Sequence, residues 1–175
     1  MPQKILVIDD EQLIRWTLEQ HLTKGGYDVS TADSAEKGME LIAEEPPDLI
    51  LLDNHLPDMS GLEMLEKLNV RERNIMVIMI TAYGMVETAV KAMKLGAYDF
   101  LVKPVEPNKF IVTLKRAIEK FKLEKEVNSL HRSIDTSLEW MLGKSPAIKK
   151  IIDEINSVAM SNFSIIIQGE TGSGK

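Results

Sequence analysis

The chain contains no cysteine. Disulfides and thiolate-held metals are excluded, and a reducing compartment is compatible with the sequence. It also lacks any excess of positive charge. Its 21 Lys and Arg face 27 Asp and Glu, for a net charge of −6 and a pI of about 5.2. A surface of that sign does not recruit phosphate backbones, so nucleic-acid binding by this segment is not expected. No apolar run approaches membrane-spanning length. The first residues, MPQKILVIDDE, lack the basic stretch and long apolar region of a secretory signal. The expectation is a cytoplasmic protein with no membrane contact. What the chain does have is a 44% hydrophobic content over 175 residues, enough for one domain with its own core plus an appendage.

Apolar segments of two periods alternate along the first hundred residues. Ile5-Leu6-Val7-Ile8 is a short continuous run that ends at Asp9-Asp10. Such a run suits a strand buried on both faces. Ile14, Leu18 and Leu22 then recur at helical spacing until Gly25-Gly26. Tyr27 to Ala32 is a second strand, and Ser34 caps a helix that Pro46-Pro47 ends. Leu49 to Leu52 forms a third strand that stops at Asp53, and a short helix follows from Leu62 to Leu68. Met76 to Ile80 is a fourth strand, ending at Thr81. Val86 to Leu95 is helical, and Phe100 to Val102 is a fifth strand, ending at Lys103-Pro104. Met76, Met79 and Met93 read as core. Five strands alternating with helices predict an α/β fold, a doubly wound parallel sheet.

In such sheets ligands sit beyond the carboxyl ends of the strands, at the switch in strand order. The residues there are Asp9, Asp10, Asp53, Thr81 and Lys103. Clustered carboxylates repel one another, and a hard cation such as Mg²⁺, bound through a few oxygen ligands, relieves the repulsion. Lys103 adds a second positive charge and Thr81 a hydroxyl donor. Together they suit the oxygens of a phosphoryl group, with Asp53, alone at its strand end, as the carboxylate nucleophile. An aspartate-nucleophile phosphohydrolase would use similar groups, but commonly carries a second acid two residues after the nucleophile, where this chain has His55. A flavodoxin-like cofactor-binding module would need a glycine- or hydroxyl-rich first loop, where this chain has Asp-Asp-Glu.

From Ile5 to about Lys120 the chain resembles the receiver domain of two-component response regulators. The resemblance rests on VIDDE, LLDNHLPDMSG, MITAYG and GAYDFLVKP, in that order. It implies a flavodoxin-like sheet and transfer of phosphate to Asp53 from a phosphohistidine of a sensor kinase. It further implies Mg²⁺ held by Asp10 directly, Asp9 through water, Asp53 and the backbone carbonyl of His55. Lys103 would pair with phosphorylated Asp53, Thr81 would move to hold a phosphoryl oxygen, and Phe100 would act as the switch aromatic. The side chains of His55 and Tyr83 would flank the attacking water and set the lifetime of the aspartyl phosphate. The Lys103–Pro104 peptide is expected to be cis.

Between Asn108 and Ser133 there is neither proline nor glycine. Phe110, Leu114, Ala117 and Phe121 form one apolar seam, and Leu123, Val127, Leu130 and Ile134 a second, offset by one. At roughly 1.5 Å per residue this helix would reach on the order of 40 Å. We expect the first half to close the domain and the second to act as a dimerisation linker. After Leu142-Gly143-Lys144-Ser145-Pro146, a helix through Ile148, Ile151, Ile152 and Ile155 precedes the strand Phe163 to Ile167 and GETGSGK. Gly169, Glu170, Thr171, Gly172, Ser173, Gly174 and Lys175 fit a phosphate-binding loop. LGKSPAIKK and SIIIQGETGSGK look like the start of the AAA+ domain of nitrogen-regulator (NtrC-type) activators of sigma-54 RNA polymerase. The expected organisation is a receiver domain over 1–120, a helical dimerisation linker over 121–142, and over 143–175 an AAA+ fragment ending inside the Walker A loop. The receiver would catalyse only its own phosphorylation and dephosphorylation. ATP binding, polymerase contact and DNA contact would belong to the full-length parent.

Overall fold

A computed structural model describes residues 2–70, 75–82, 86–142, 145–159 and 166; beyond 127 it describes the side chains of 129, 145–155 and 166 only. The chain forms two compact units, Met1–Glu124 and Lys125–Lys175.

The first unit is built on strands β1 (Lys4–Ile8), β2 (Asp28–Ala32), β3 (Leu49–Asp53), β4 (Met76–Thr81) and β5 (Asp99–Val102). Every pairing is parallel and the order is β2-β1-β3-β4-β5, as the alternating pattern predicts. The order reverses between β1 and β3, so their carboxyl ends flank the crevice where such sheets bind ligands. Helices α1 (Gln12–Lys24), α2 (Ala35–Glu44), α3 (Gly61–Leu68) and α4 (Val86–Lys94) connect the strands, and α5 (Pro107–Leu142) follows β5.

Side chains alternate across the sheet because the strand period is two. On one face Leu6, Ile8, Ile50, Leu52, Val77 and Met79 pack with residues of α2, α3 and α4, among them Ile42, Leu65 and Ala92. On the other, Ile5, Val7, Leu49, Leu51, Ile78 and Ile80 meet Leu18 and Leu22 of α1. The same face takes Phe110, Leu114, Ala117 and Phe121 of α5, so the predicted first seam closes this side of the core. Met93, read as core, is 47% exposed, because α4 turns Val86, Val90 and Met93 outward and buries Ala92. Apolar periodicity marks a helix face but does not say which face meets the sheet.

The loop after β3 is pinned from two sides. Ser60 and Glu63 form a reciprocal capping box at the start of α3. Asp58 accepts hydrogen bonds from the backbone N–H groups of Ala35 at 3.0 Å and Glu36 at 2.7 Å. It thereby caps α2 from a different loop, in a first turn that Ser34 also serves. In the second unit, α6 (Pro146–Ala159) begins with the Ser145 hydroxyl accepting from Ile148 N–H and buries Ile152.

Desolvation acts to raise the carboxyl of the exposed Asp58, but the N–H groups of Ala35 and Glu36 outweigh it and hold the group below its ordinary value. Its stabilisation is therefore complete above the ordinary Asp range of about 4 and is lost as pH falls through the lowered folded-state value. Asp58→Ala is expected to cost about 1 kcal/mol at neutral pH, the usual size of a lost cap. Urea unfolding curves of variant and parent should converge in acid. Curves equally separated at both pH values would contradict this.

Candidate functional site

Three strand ends and one following loop build the site. β1 ends at Ile8, and the next residue, Asp9, is 2% exposed. Asp53 closes β3 and is 4% exposed, and Thr81 closes β4 and is fully buried. The chain leaves β5 after Val102, and the backbone N–H of Lys103 bonds to the Thr81 carbonyl at 2.8 Å. The Lys103–Pro104 peptide is cis.

The Lys103 Nζ lies 2.7 Å from Asp9 Oδ2, 2.9 Å from Asp53 Oδ2 and 3.2 Å from Glu11 Oε1. Asp9 Oδ1 in turn accepts from the Glu11 N–H at 2.9 Å. Burial pushes the Asp9 carboxyl up from its ordinary value, although Lys103 opposes the shift. Burial likewise works against the charged Lys103 amine, but the hydrogen bonds to Asp9 and Asp53 reverse that and raise it further. The amine is thus held protonated between two buried acids.

One amine does not balance this neighbourhood. Asp9, Asp10, Glu11 and Asp53 offer oxygens that all lie within 4.8 Å of one another. Asp53 Oδ1 is buried without a hydrogen-bond partner among the described residues. A buried acceptor left unpaired costs free energy, and all-oxygen donors suit a hard divalent cation. The donor set and the unpartnered oxygen therefore fit such an ion.

Of the residues predicted from sequence, Asp9, Asp10, Asp53 and Lys103 converge here, and Thr81 stands at the adjoining strand end. His55 is exposed, two residues after Asp53, in an isolated antiparallel bridge with Ser60. Phe100 is half-buried against the core. Tyr83 and residues 169–175, including Gly169, Gly174 and Lys175, lie outside the described residues.

Sequence reasoning missed three contributors. Nothing in the order VIDDE gives Glu11 a role, yet its carboxylate reaches Lys103. Gly61 lies against the backbone at the end of β3: a Cβ there would collide with the Asp53 carbonyl oxygen and lie 2.9 Å from Asn54 Cα. The glycine in DMSG was the available signal. Arg15 donates from Nη1 to the Asp9 carbonyl at 2.6 Å, and nothing in its spacing announces it.

The family model of the response regulator receiver domain matches residues 5–115. The chain belongs to the response regulator receiver family. A second model, the sigma-54 interaction domain, matches residues 141–175, so the receiver is joined to the start of that domain. The receiver and its extension are 34% identical over 174 residues to the Regulatory protein AtoC of Escherichia coli K12, covering 98% of this chain and 38% of that protein. They are 39% identical over 173 residues to the response regulator protein PilR of Pseudomonas aeruginosa, covering 99% of this chain and 37% of that protein. The chain thus spans less than two-fifths of these curated relatives. Among solved structures, a CheY-like receiver domain protein from Methanospirillum hungatei superposes with a TM-score of 0.68 at 33% identity, over 71% of this chain and 99% of that one. NtrX from Brucella abortus does so with a TM-score of 0.69 at 34% identity, over 93% of this chain and 36% of that one. Among the described residues no helix is long and apolar enough to cross a membrane.

Removing the amine should expose the like-charge repulsion. Lys103→Met is expected to lower unfolding free energy by about 3 kcal/mol in EDTA, near the low end for breaking one side of a buried pair. Added Mg²⁺ should recover part of that loss in urea titrations. A variant as stable as the parent in EDTA would contradict the electrostatic account.

Proposed function

We propose that the receiver takes a phosphoryl group from a phosphohistidine of a sensor kinase onto Asp53. The observation that carries this reading is the Lys103 ammonium 2.9 Å from Asp53 and 2.7 Å from Asp9, beside an Asp53 oxygen with no hydrogen-bond partner among the described residues. In this reading the Asp53 carboxylate attacks phosphorus in line. The P–N bond to the donor breaks, its electron pair stays on the imidazole nitrogen, and that nitrogen takes a proton from solvent. Lys103 neutralises charge that gathers on the phosphoryl oxygens, and the Thr81 hydroxyl donates to one of them. Asp9, Asp10, Asp53 and the His55 carbonyl would hold Mg²⁺, which supplies positive charge to the phosphoryl oxygens when bound. The chain's own part is orientation: strand register fixes Asp53 and Thr81, and the β1–α1 turn fixes the acids.

The output follows from the added charge. A phosphoryl group on Asp53 draws Thr81 inward and lets Phe100 repack, biasing the receiver between two packings. His55 and Tyr83 set how long the phosphate lasts. We place the receiver at 1–120, a dimerising linker at 121–142, and the AAA+ fragment at 143–175. Leu123 and Val127, 58% and 49% exposed on α5, support a homodimer through this helix. In the full-length parent, residues 169–175 would open an ATP site, and domains other than the receiver would meet sigma-54 RNA polymerase and DNA. The receiver itself turns over no substrate but its own phosphoaspartate, in the cytoplasm.

Beryllofluoride with Mg²⁺ should bind the parent, fail on Asp53→Ala, and change the sedimentation coefficient of the parent alone. Equal responses of parent and variant would contradict the assignment of Asp53. Once phosphorylated, His55→Ala and Tyr83→Ala should each shift the dephosphorylation rate, and two unchanged rates would remove both residues from that role.

A further inference from the structure

We infer that Arg15 is a positioning residue for the acid cluster: its guanidinium clamps the backbone turn that aims Asp9 and Asp10, and so sets divalent-cation affinity. The inference rests on the reading of the cluster as a cation site. β1 ends at Ile8 and α1 begins at Gln12, so three residues make the turn between strand and helix. The Asp9 N–H is still held by the sheet, donating to the Ala32 carbonyl at 3.2 Å. Its carbonyl lies past the last paired strand residue, and Arg15 Nη1 donates to it at 2.6 Å. Arg15 sits in the first turn of α1, its backbone N–H bonded to the Glu11 carbonyl at 3.0 Å. One residue therefore ties the turn to the helix twice, through its main chain to Glu11 and through its side chain to Asp9. The Glu11 N–H to Asp9 Oδ1 bond closes the same turn from inside.

Arg15 is half-buried, and among the described residues its guanidinium makes no ion pair with the four acids of the cluster. It bonds instead to a neutral carbonyl. A cation placed to neutralise the cluster would meet a carboxylate, as Lys103 does. The choice of a carbonyl partner assigns Arg15 to holding the backbone. Groups that orient metal ligands without touching the ion typically change metal affinity when removed.

Charge and clamp predict opposite signs, which makes the test decisive. Removing a positive charge beside four acids, with nothing else changed, tightens binding of a second cation. Losing the clamp loosens it. The Mg²⁺ dissociation constant of the full chain is followed through the backbone amide shifts of Asp10 and Glu11, with amide exchange at Glu11 as a local readout. Arg15→Met is expected to weaken Mg²⁺ binding about tenfold and to speed exchange of the Glu11 amide. Arg15→Lys keeps the charge and most of the stem, but its amine ends short of the outer guanidinium nitrogen, so it should also lose affinity. It serves as well if the Met variant does not fold. A folded Met variant that binds as tightly as the parent, or more tightly, overturns the inference, and so does a Lys variant with full affinity. A parent that does not bind Mg²⁺ at all would instead remove the cation-site reading.

Discussion

A single ammonium group, that of Lys103, sits within hydrogen-bond reach of two carboxylates that are almost wholly removed from water. The rest of the structure is arranged around making that meeting happen. Asp9, Asp53 and Lys103 are far apart in the chain and are brought together only because β1, β3 and β5 run parallel and end at one edge. A shift of one residue in any of these strands would turn its terminal side chain to the opposite face. The site therefore depends on register, and register depends on which apolar residues each strand buries.

The same meeting explains why the surrounding loops are so tightly tied. Like charges held close together favour any rearrangement that separates them. Asp58 fixes the β3–α3 loop to α2, the Ser60–Glu63 capping box fixes it to α3, and Gly61 lets it pass against Asp53 without a side chain between. On the β1 side the Asp9 carboxylate and carbonyl each hold a hydrogen bond within their own turn or its helix. The packing on both faces of the sheet stabilises the fold against this local repulsion. What results is a preorganised cluster short of positive charge, which suits a divalent cation; with that cation, Lys103 would offset the charge of an incoming phosphoryl group.

Most of the sheet was readable from residue order. The apolar runs before Asp9, Asp53, Thr81 and Lys103 are short, continuous and interrupted by helical periods, a pattern that only a few topologies accommodate. The strand-end acids, the threonine and the lysine followed because strand termini are where such sheets place chemistry. Contacts set by side-chain reach were not readable. Glu11 looks like a helix-start acid until Lys103 is seen 3.2 Å away, and Arg15 like a surface base until its bond to the Asp9 carbonyl is seen. The outward face of α4 was also hidden, since alternate packings of Val86, Val90 and Met93 share one periodicity. Propensity and period describe a segment; which neighbour it meets is decided by the other segments.

The most direct test of the central claim is chemical trapping of the modified side chain. After treatment with a small phosphodonor, borohydride reduction converts an aspartyl phosphate to homoserine, which peptide mass spectrometry locates. The account predicts homoserine in place of Asp53, in the presence of Mg²⁺ and not in EDTA. Modification of another acid in the cluster, or equal modification without the divalent ion, would contradict it.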